Sequence, residues 1–257
     1  MSFRDLREFI SFLEKRDELR RISTPVSRDL EISEIADRVV KSGGPALYFE
    51  NVEGFKTPVV MNLYGSIQRV AWALGVEDLD DLGQQVRDLL DMLQGPPSGL
   101  GGKLRALGDL AGIAKAQPKM VSSGPCQDVV TTGDSVDVNE LPVIKCWPLD
   151  AGRFITLPLV ISRDPETGRR NVGTYRMQVY DSKTAGMHWQ THKVAAHHYR
   201  VSEQQRRERL EVAVAIGADP TTMWTGSLPV PPDIDEIMVS GILRRQPVEM
   251  VKCKTVD

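Results

Sequence analysis

The chain has 257 residues, of which 41% are hydrophobic and 26% charged, and its formal net charge is -3. This balance is typical of a soluble protein with one large or two smaller domains, and it lacks the basic excess that accompanies nucleic-acid binding. No segment approaches the roughly 20 apolar residues of a membrane span, and the first residues lack the order of a signal peptide, so we expect a cytoplasmic protein. Three widely spaced cysteines, Cys126, Cys146 and Cys253, argue against a disulfide framework and against a CxxC zinc site.

The first hundred residues predict an α/β unit. Apolar residues recur at helical spacing from Leu6 to Leu13, with Ser2 as the expected helix cap. A second apolar stripe ends at Gly43-Gly44-Pro45, where proline lacks a backbone donor and glycine favours a helix end. The predicted elements of this unit are helices that include residues 6–13, 31–41, 66–74 and 80–94, and strands over 46–49 and 59–63.

A glycine- and proline-rich stretch at 95–102 breaks every regular pattern and is the expected linker. We therefore divide the chain into an amino-terminal α/β domain at 1–94, a linker and connecting helix at 95–118, and a second domain at 119–257. The overall fold class is α+β.

The second domain is predicted to consist mostly of strands, and their even spacing suggests a small barrel. A charged helix near 197–209 and a helix capped by Asp219 should interrupt the strands. A proline-rich loop then delivers Asp235 and Glu236 to the start of another helix. The predicted strands cover 129–130, 143–144, 157–161, 171–180, 187–192, 210–216 and 248–254.

Four side chains of this second domain predict chemistry. Asn171, His192 and Glu236 offer an amide oxygen, an imidazole and a carboxylate, a ligand set that suits a magnesium- or manganese-like metal better than a thiolate-bound one. Arg176 has a planar fork that can bind an anion through paired hydrogen bonds. Asn171 and Arg176 are five residues apart and would face opposite sides of a regular strand, so we expect a bulge or kink at Gly173.

Each of these residues also has a simpler interpretation. Asn171 could close a turn, and Glu236 could be a carboxylate that favours the helix dipole. His188 and His192 have the spacing of a zinc motif but lack its glutamate and lie among strand-forming residues, where His188, Gln190 and His192 would share one face. The stretch at 95–102 lacks the lysine and the spacing of a phosphate-binding loop. Only the joint occurrence of these side chains, in order, favours a metal- and anion-binding site.

Several spaced motifs together resemble the UbiD decarboxylase family along the whole chain. They read NLYGS at 62–66, CWP at 146–148, NVGTYRMQ at 171–178, MHWQTH at 187–192 and GADP at 217–220. The resemblance implies an amino-terminal α/β domain, a split β-barrel similar to that of flavin reductases, and a carboxy-terminal domain that drives homo-oligomerisation.

The resemblance also implies a reversible, non-oxidative decarboxylase of aromatic carboxylic acids that uses prenylated FMN and a divalent metal, usually Mn²⁺, often with K⁺. The expected substrate is 4-hydroxy-3-polyprenylbenzoate of ubiquinone biosynthesis, and a prenyl-FMN synthase would supply the cofactor. A prenylated substrate would bring the enzyme into peripheral contact with the inner membrane. No nucleic-acid partner is expected.

The family's functional residues map onto this sequence one by one. Asn171, His192 and Glu236 correspond to the metal ligands that anchor the flavin phosphate, and Arg176 corresponds to the arginine that meets the substrate carboxylate and the flavin edge. The remaining cofactor contacts correspond to Thr174, Tyr175, His188, Trp189 and Gln190.

One departure from the family concerns its acid–base carboxylates, which lie downstream of the predicted strand at 248–254. We therefore expect an amino-terminal fragment that folds in its first domain, is locally disordered or self-associated around 171–192 and 235–254, and is inactive alone. Two other classes of function stay open at this point. One is a flavin-reductase-like barrel, and the other is a truncated binding module that assembles with a partner.

Overall fold

The computed structural model describes residues 2–83, 114–205, 209–231 and 234–256. The predicted linker at 95–102, most of the predicted helix at 80–94 and the end of the predicted helix at 197–209 lie outside the described residues. Within the described ranges, no helix combines the length and the apolar character that a bilayer crossing requires.

The first region is a three-stranded sheet with helices on both faces. Its sheet has the order β1-β2-β3, in which β1 is parallel to β2 and β3 is antiparallel to it. Helices α1 and α2 follow the predicted apolar spacing. The elements are α1 (Leu6–Glu14), β1 (Leu19–Ile22), α2 (Glu31–Lys41), β2 (Ala46–Phe49), β3 (Val59–Met61) and α3 (Ile67–Ala73).

Strand β2 is the centre of this region. Its alternating side chains enter two different hydrophobic clusters, because successive residues of a strand point to opposite faces. Ala46 packs with α1 and α3, whereas Leu47 and Phe49 pack with α2. A strand buried on both faces is expected to be an uninterrupted apolar run, which is what the sequence shows at 46–49.

Two helix ends of the first region show how the local sequence sets them. The predicted cap at Ser2 is wrong, because the side chain of Asp5 caps α1 by accepting a hydrogen bond from the Glu8 backbone N–H at 2.9 Å. Helix α2 stops as predicted, since Gly43 has a φ of +70°, a conformation that glycine adopts without a steric penalty.

The second region is built from short antiparallel sheets. Strands β10-β6-β7 form one three-stranded sheet, β5-β8-β9 form another, and β11 pairs with β4 in parallel. Three helices, α4 (Val194–Gln204), α5 (Pro220–Thr225) and α6 (Glu236–Arg244), accompany them. The strands are β4 (Lys119–Val121), β5 (Arg153–Ile155), β6 (Leu159–Arg163), β7 (Arg170–Thr174), β8 (Met177–Val179), β9 (Ala185–Met187), β10 (Val212–Ala215) and β11 (Glu249–Val251).

The chain passes from one sheet to the other at Tyr175 and Arg176, which belong to no strand. Strand β7 pairs with β6, whereas β8 pairs with β5 and β9. The predicted single strand at 171–180 is therefore two strands in different sheets, in the arrangement of the predicted split barrel. The expected bulge at Gly173 is also wrong, because Gly173 pairs with Val160 in an unbroken register.

Other predicted elements differ in their limits. Residues 129–130 form no strand, and Val129 is 85% exposed, so the apolar pair alone misled the prediction. The strand expected at 187–192 ends at Met187, and the helix expected from 197 begins at Val194. Asp219 caps α5 as predicted by accepting a hydrogen bond from the Thr222 backbone N–H at 3.1 Å.

Polar contacts join the two regions. Arg153 donates two hydrogen bonds to the carboxylate of Asp29, at 2.9 and 2.8 Å. On another side, the buried Arg244 pairs with Asp219 at 3.2 Å and donates to the Phe3 carbonyl at the same distance. The first contact places the residues just before α2 against the start of β5, and the second places Phe3 against the end of α6.

Candidate functional site

Glu236 contacts the strand that carries Asn171. Asn171 is buried, 6% exposed, near the start of β7. Glu236 is the first residue of α6, and Asp235 caps that helix. The backbone N–H of Val172 donates to Glu236 Oε2 at 3.1 Å, so the carboxylate bonds to the residue directly after Asn171. The structure therefore places the Glu236 carboxylate against the backbone of the strand that carries Asn171, and joint binding of a metal by the two side chains stays a prediction.

Burial governs the charge of Glu236. Desolvation raises the pKa of the Glu236 carboxyl, and the neighbouring Asp235 raises it further, whereas backbone hydrogen bonds and Arg170 act in the opposite direction. Arg170 itself forms an ion pair with Asp235. A partly buried carboxylate whose ionised form is disfavoured would be stabilised by a divalent cation, so this residue fits the expected role.

Tyr175 connects the Asn171 strand to α4. Its buried hydroxyl accepts long hydrogen bonds from Asn171 Nδ2 and from the Ala195 backbone N–H, each at 3.4 Å. The tyrosine ring lies over Gly173, where a Cβ atom would be only 2.5 Å from Cε2 of the ring. Gly173 is thus required for close approach of the Tyr175 ring and not for a bulge.

The turn before α4 carries the remaining predicted ligands. His192 is exposed there, and Arg200 donates to the Thr191 carbonyl at 2.8 Å, which fixes the turn. His188, Gln190 and His192 do not share a strand face, because β9 ends before them. Across the described ranges, no three histidine, cysteine, aspartate or glutamate side chains cluster closely enough to hold a metal. A metal at this place would thus depend on the Asn171 amide as well.

Trp189 offers a hydrogen-bond donor to a bound molecule. Its indole ring meets Tyr175 edge to face, with 6.4 Å between the ring centroids, and lies near Tyr199. The indole Nε1 is buried and has no hydrogen-bond partner in the described part of the chain. Buried donors are rarely left unpaired, so an acceptor atom of a cofactor would satisfy this group. This observation fits the predicted cofactor contact.

Arg176 forms an ion pair with a carboxylate of the same chain. Its Nη1 and Nη2 donate to Oδ1 and Oδ2 of Asp150 at 3.2 and 2.6 Å, and its guanidinium carbon lies 3.7 Å from the centroid of the Phe154 ring. The hydrogen bond from Arg176 holds the pKa of the Asp150 carboxyl below its usual range. The fork therefore binds the carboxylate of Asp150, which was not identified from the sequence, and its contact with a substrate carboxylate stays a prediction.

A cleft of about 430 Å³ opens beside this pair. Its walls are the start of α2, including Leu30 and Ser33, and the segment Cys146-Trp147-Pro148 that leads to Asp150. The CWP motif gave a sequence indication of this segment, yet the acidic residue two positions after it was passed over.

Sequence profiles of one family match most of the chain. Residues 10–89 match the 3-octaprenyl-4-hydroxybenzoate carboxy-lyase N-terminal domain, and residues 119–257 match the Rift-related domain of the same carboxy-lyase. Two uncharacterized proteins, from Archaeoglobus fulgidus and Aquifex aeolicus, are each 46% identical over 257 residues, which is 100% and 99% of this chain and 52% of each relative.

Solved structures of similar fold include a UbiD-class enzyme and a vanillic acid decarboxylase. An evolved dimeric form of the UbiD-class enzyme HmfF from Pelotomaculum thermopropionicum, in complex with prFMN, is 28% identical with a TM-score of 0.82, over 99% of this chain and 54% of that one. The closed form of vanillic acid decarboxylase from Sedimentibacter hydroxybenzoicus is 27% identical with a TM-score of 0.82. The match covers 100% of this chain and 52% of that one. The chain spans about half the length of the relatives it matches.

Proposed function

The chain belongs to the UbiD carboxy-lyase family, and we propose that it forms the cofactor- and metal-binding part of a decarboxylase of aromatic acids that uses prenylated FMN. The family profiles cover both regions of the fold. HmfF, which is similar over nearly the whole chain, binds prFMN, and a second similar protein decarboxylates vanillic acid. We infer the same class of cofactor and of substrate here.

The observation that carries the proposal is the contact between the Glu236 carboxylate and the backbone N–H of Val172, the residue that follows the buried Asn171. Oxygen ligands of this kind suit Mg²⁺ or Mn²⁺. In our proposal Asn171, Glu236 and His192 would hold one Mn²⁺, whose charge would offset that of the flavin phosphate, and K⁺ would be a further cation of the site. His192 is exposed on the turn before α4, where it is accessible to a ligand.

The chemistry explains the need for a cofactor. Loss of CO₂ from an aromatic ring leaves an electron pair in the ring plane, and bound prenylated FMN supplies the electron sink that side chains lack. Arg176 would hold the substrate carboxylate through paired charge-assisted hydrogen bonds. Trp189 would donate its unpaired indole N–H to the cofactor, and Thr174, Tyr175, His188 and Gln190 would line the same site.

For the substrate we propose a 4-hydroxybenzoate-type acid, and the polyprenylated acid of ubiquinone biosynthesis is the specific candidate. A prenyl-FMN synthase would provide the cofactor, and the complete enzyme would be a homo-oligomer with peripheral contact to the inner membrane. The supporting observation is the family description, which names a 3-octaprenyl-4-hydroxybenzoate carboxy-lyase.

The metal proposal is tested by Glu236→Gln, which removes the charge and keeps the shape. The wild type and the variant are produced together with a prenyl-FMN synthase, and bound metal and flavin are measured by elemental analysis and absorbance. We expect metal and flavin to be lost together from the variant. Glu249→Gln is the matched control, since Glu249 is an exposed glutamate on β11. Unchanged Mn²⁺ occupancy in Glu236→Gln would show that this carboxylate is not a ligand.

A further inference from the structure

Two ion pairs lie three residues apart at the start of β5. Asp150 accepts both hydrogen bonds from Arg176, and Arg153 donates both of its bonds to Asp29 at the start of α2. The segment 150–153 thus contacts the first region on one side and the arginine of the candidate site on the other. The first region is thereby linked to the candidate site by side-chain contacts.

Asp150 is itself held in place. Its Oδ2 accepts a hydrogen bond from the Trp147 backbone N–H at 3.2 Å, and its side chain is 13% exposed. The Phe154 ring lies against the guanidinium face of Arg176. The ring therefore fixes the plane of the guanidinium, and the Asp150 carboxylate fixes its direction within that plane.

The pairing leaves part of Arg176 available. A guanidinium has five N–H donors, and Asp150 accepts one bond from each of the two terminal nitrogens. Three donors remain after the Asp150 pair, and the Cys146 side chain also lies against the guanidinium. The Nε–H on the side edge forms a second bidentate face together with a terminal N–H. The side chain of Arg176 is 33% exposed, so a ligand can reach it. One carboxylate can thus hold the arginine while a second one binds to it.

We propose that Asp150 is the positioning residue of Arg176: it binds the end of the guanidinium so that the side edge faces the substrate carboxylate. The proposal rests on the proposed function, in which Arg176 binds that carboxylate. Asp150 does not compete with the substrate in this arrangement, and the Asp29–Arg153 pair makes the first region part of the support.

The test uses the protein loaded with prenylated FMN and metal, with 4-hydroxybenzoate as the probe in calorimetric titrations. Asp150→Asn keeps the shape of the side chain but loses its charge and turns one acceptor into a donor, so we expect the probe to bind at least about tenfold more weakly. Arg176→Lys should lose a similar factor, and the double variant should lose no more than Arg176→Lys alone, because Asp150 acts through Arg176. The matched control is Asp134→Asn, which breaks the exposed pair with Lys183 and should bind as the wild type does.

A spectroscopic measurement separates positioning from general stability. The Arg176 Nε–H resonance, assigned by its loss in Arg176→Lys, should be sharp and protected in the wild type and should exchange faster in Asp150→Asn. Asp150→Glu keeps the charge but lengthens the side chain by one methylene, so its Nε–H exchange rate should lie between those of the wild type and Asp150→Asn. This variant also provides the measurement if Asp150→Asn does not fold.

The outcomes distinguish the two proposals. If the loaded wild type binds no probe, the proposed function fails, and the positioning role fails with it. If Arg176→Lys weakens binding while Asp150→Asn binds as tightly as the wild type or more tightly, only the positioning role is wrong, and Asp150 is a competitor for the fork. If the losses of probe affinity in the two single variants add up in the double variant, the positioning role of Asp150 is likewise wrong.

Discussion

Arg69 in the first region and Arg176 in the second are both paired with a carboxylate, but the two environments differ. Arg69 is 1% exposed, bonds to Glu18 at 2.7 Å and to the Gly44 carbonyl at 3.2 Å, and is closed to solvent. Arg176 is one-third exposed and stacks on Phe154. Pairing alone therefore does not identify a functional arginine. The exposure of Arg176 and its place between two sheets distinguish its environment from that of Arg69.

Removing the closed arginine should have the largest effect on stability. Arg69→Ala leaves a cavity and removes the buried guanidinium that pairs with Glu18, so we expect a loss of about 3 kcal/mol in the free energy of unfolding. Glu18 is partly exposed and can be solvated, which keeps the loss at the lower end of the usual range. Chemical denaturation followed by circular dichroism measures it. The control is Arg38→Ala, whose exposed pair with Glu34 should contribute no more than about 0.5 kcal/mol. Equal losses of unfolding free energy in Arg69→Ala and Arg38→Ala would show that burial does not set the contribution of a paired arginine.

The next effect concerns the junction between the two sheets. Gly173→Ala places a methyl group against the Tyr175 ring, and the overpacking should cost about 2 kcal/mol and lower Mn²⁺ retention, because Tyr175 also bonds to Asn171. In the control Gly152→Ala, the nearest atom is the flexible end of Gln178 at 3.1 Å, so less than about 1 kcal/mol should be lost. Denaturation curves and metal analysis of both variants give the comparison, and a neutral Gly173→Ala would show that the ring moves aside freely.

A smaller free-energy change should follow from altering the open arginine. Arg176→Lys keeps the charge and loses the fork, so prenylated FMN should still bind while decarboxylation of a 4-hydroxybenzoate-type acid by the complete enzyme falls at least about tenfold, or about 1.4 kcal/mol. Arg163→Lys on the exposed end of β6 is the control and should match the wild type. Equal turnover by the Arg176→Lys and wild-type proteins would exclude a role in orienting the substrate.

The smallest effect is a pH dependence in the second region. The buried His198 shares a hydrogen bond with Ser162 Oγ at 3.0 Å through Nδ1. Burial lowers the pKa of His198, against a raising effect of Asp164, and His197 lowers it further. The unfolded state therefore takes up the proton first, so stability is full above about pH 6.5 and falls as the pH drops below that value.

The measurement is the thermal unfolding midpoint across this pH range. His198→Gln keeps a polar partner for Ser162 without a titrating group, and it should flatten the decline. His197→Gln is the control, since His197 is exposed on the same helix. If both variants keep the slope of the wild type, His198 is not the group responsible.

The sequence could predict the elements that local properties determine. Helix 31–41 and strand 46–49 were predicted at their observed limits, because apolar spacing and the Gly43 end are local properties. The proximity of Glu236 to the Asn171 strand could be expected only through the family resemblance, since 65 residues separate the two in sequence.

The wrong predictions concern features that depend on side-chain contacts in the folded chain. The break at Tyr175 and Arg176 depends on the Tyr175 ring over Gly173 and on its hydroxyl, which accepts a bond from the Ala195 backbone. Neither contact is visible in the alternation of side chains, so 171–180 was predicted as one strand. Asp150 was missed for a similar reason, because its partner lies 26 residues away and only the folded β5–β8 pair brings the two together.

The crossing between the sheets also separates two properties of the site. Asn171 belongs to the sheet that contacts Glu236, and Arg176 adjoins the sheet that carries Phe154. On the proposed function, substitutions along β5 or β9 would therefore change which acid is accepted while the metal affinity stays the same. A single cofactor-binding half would then serve several acids, with the selectivity set on the other sheet.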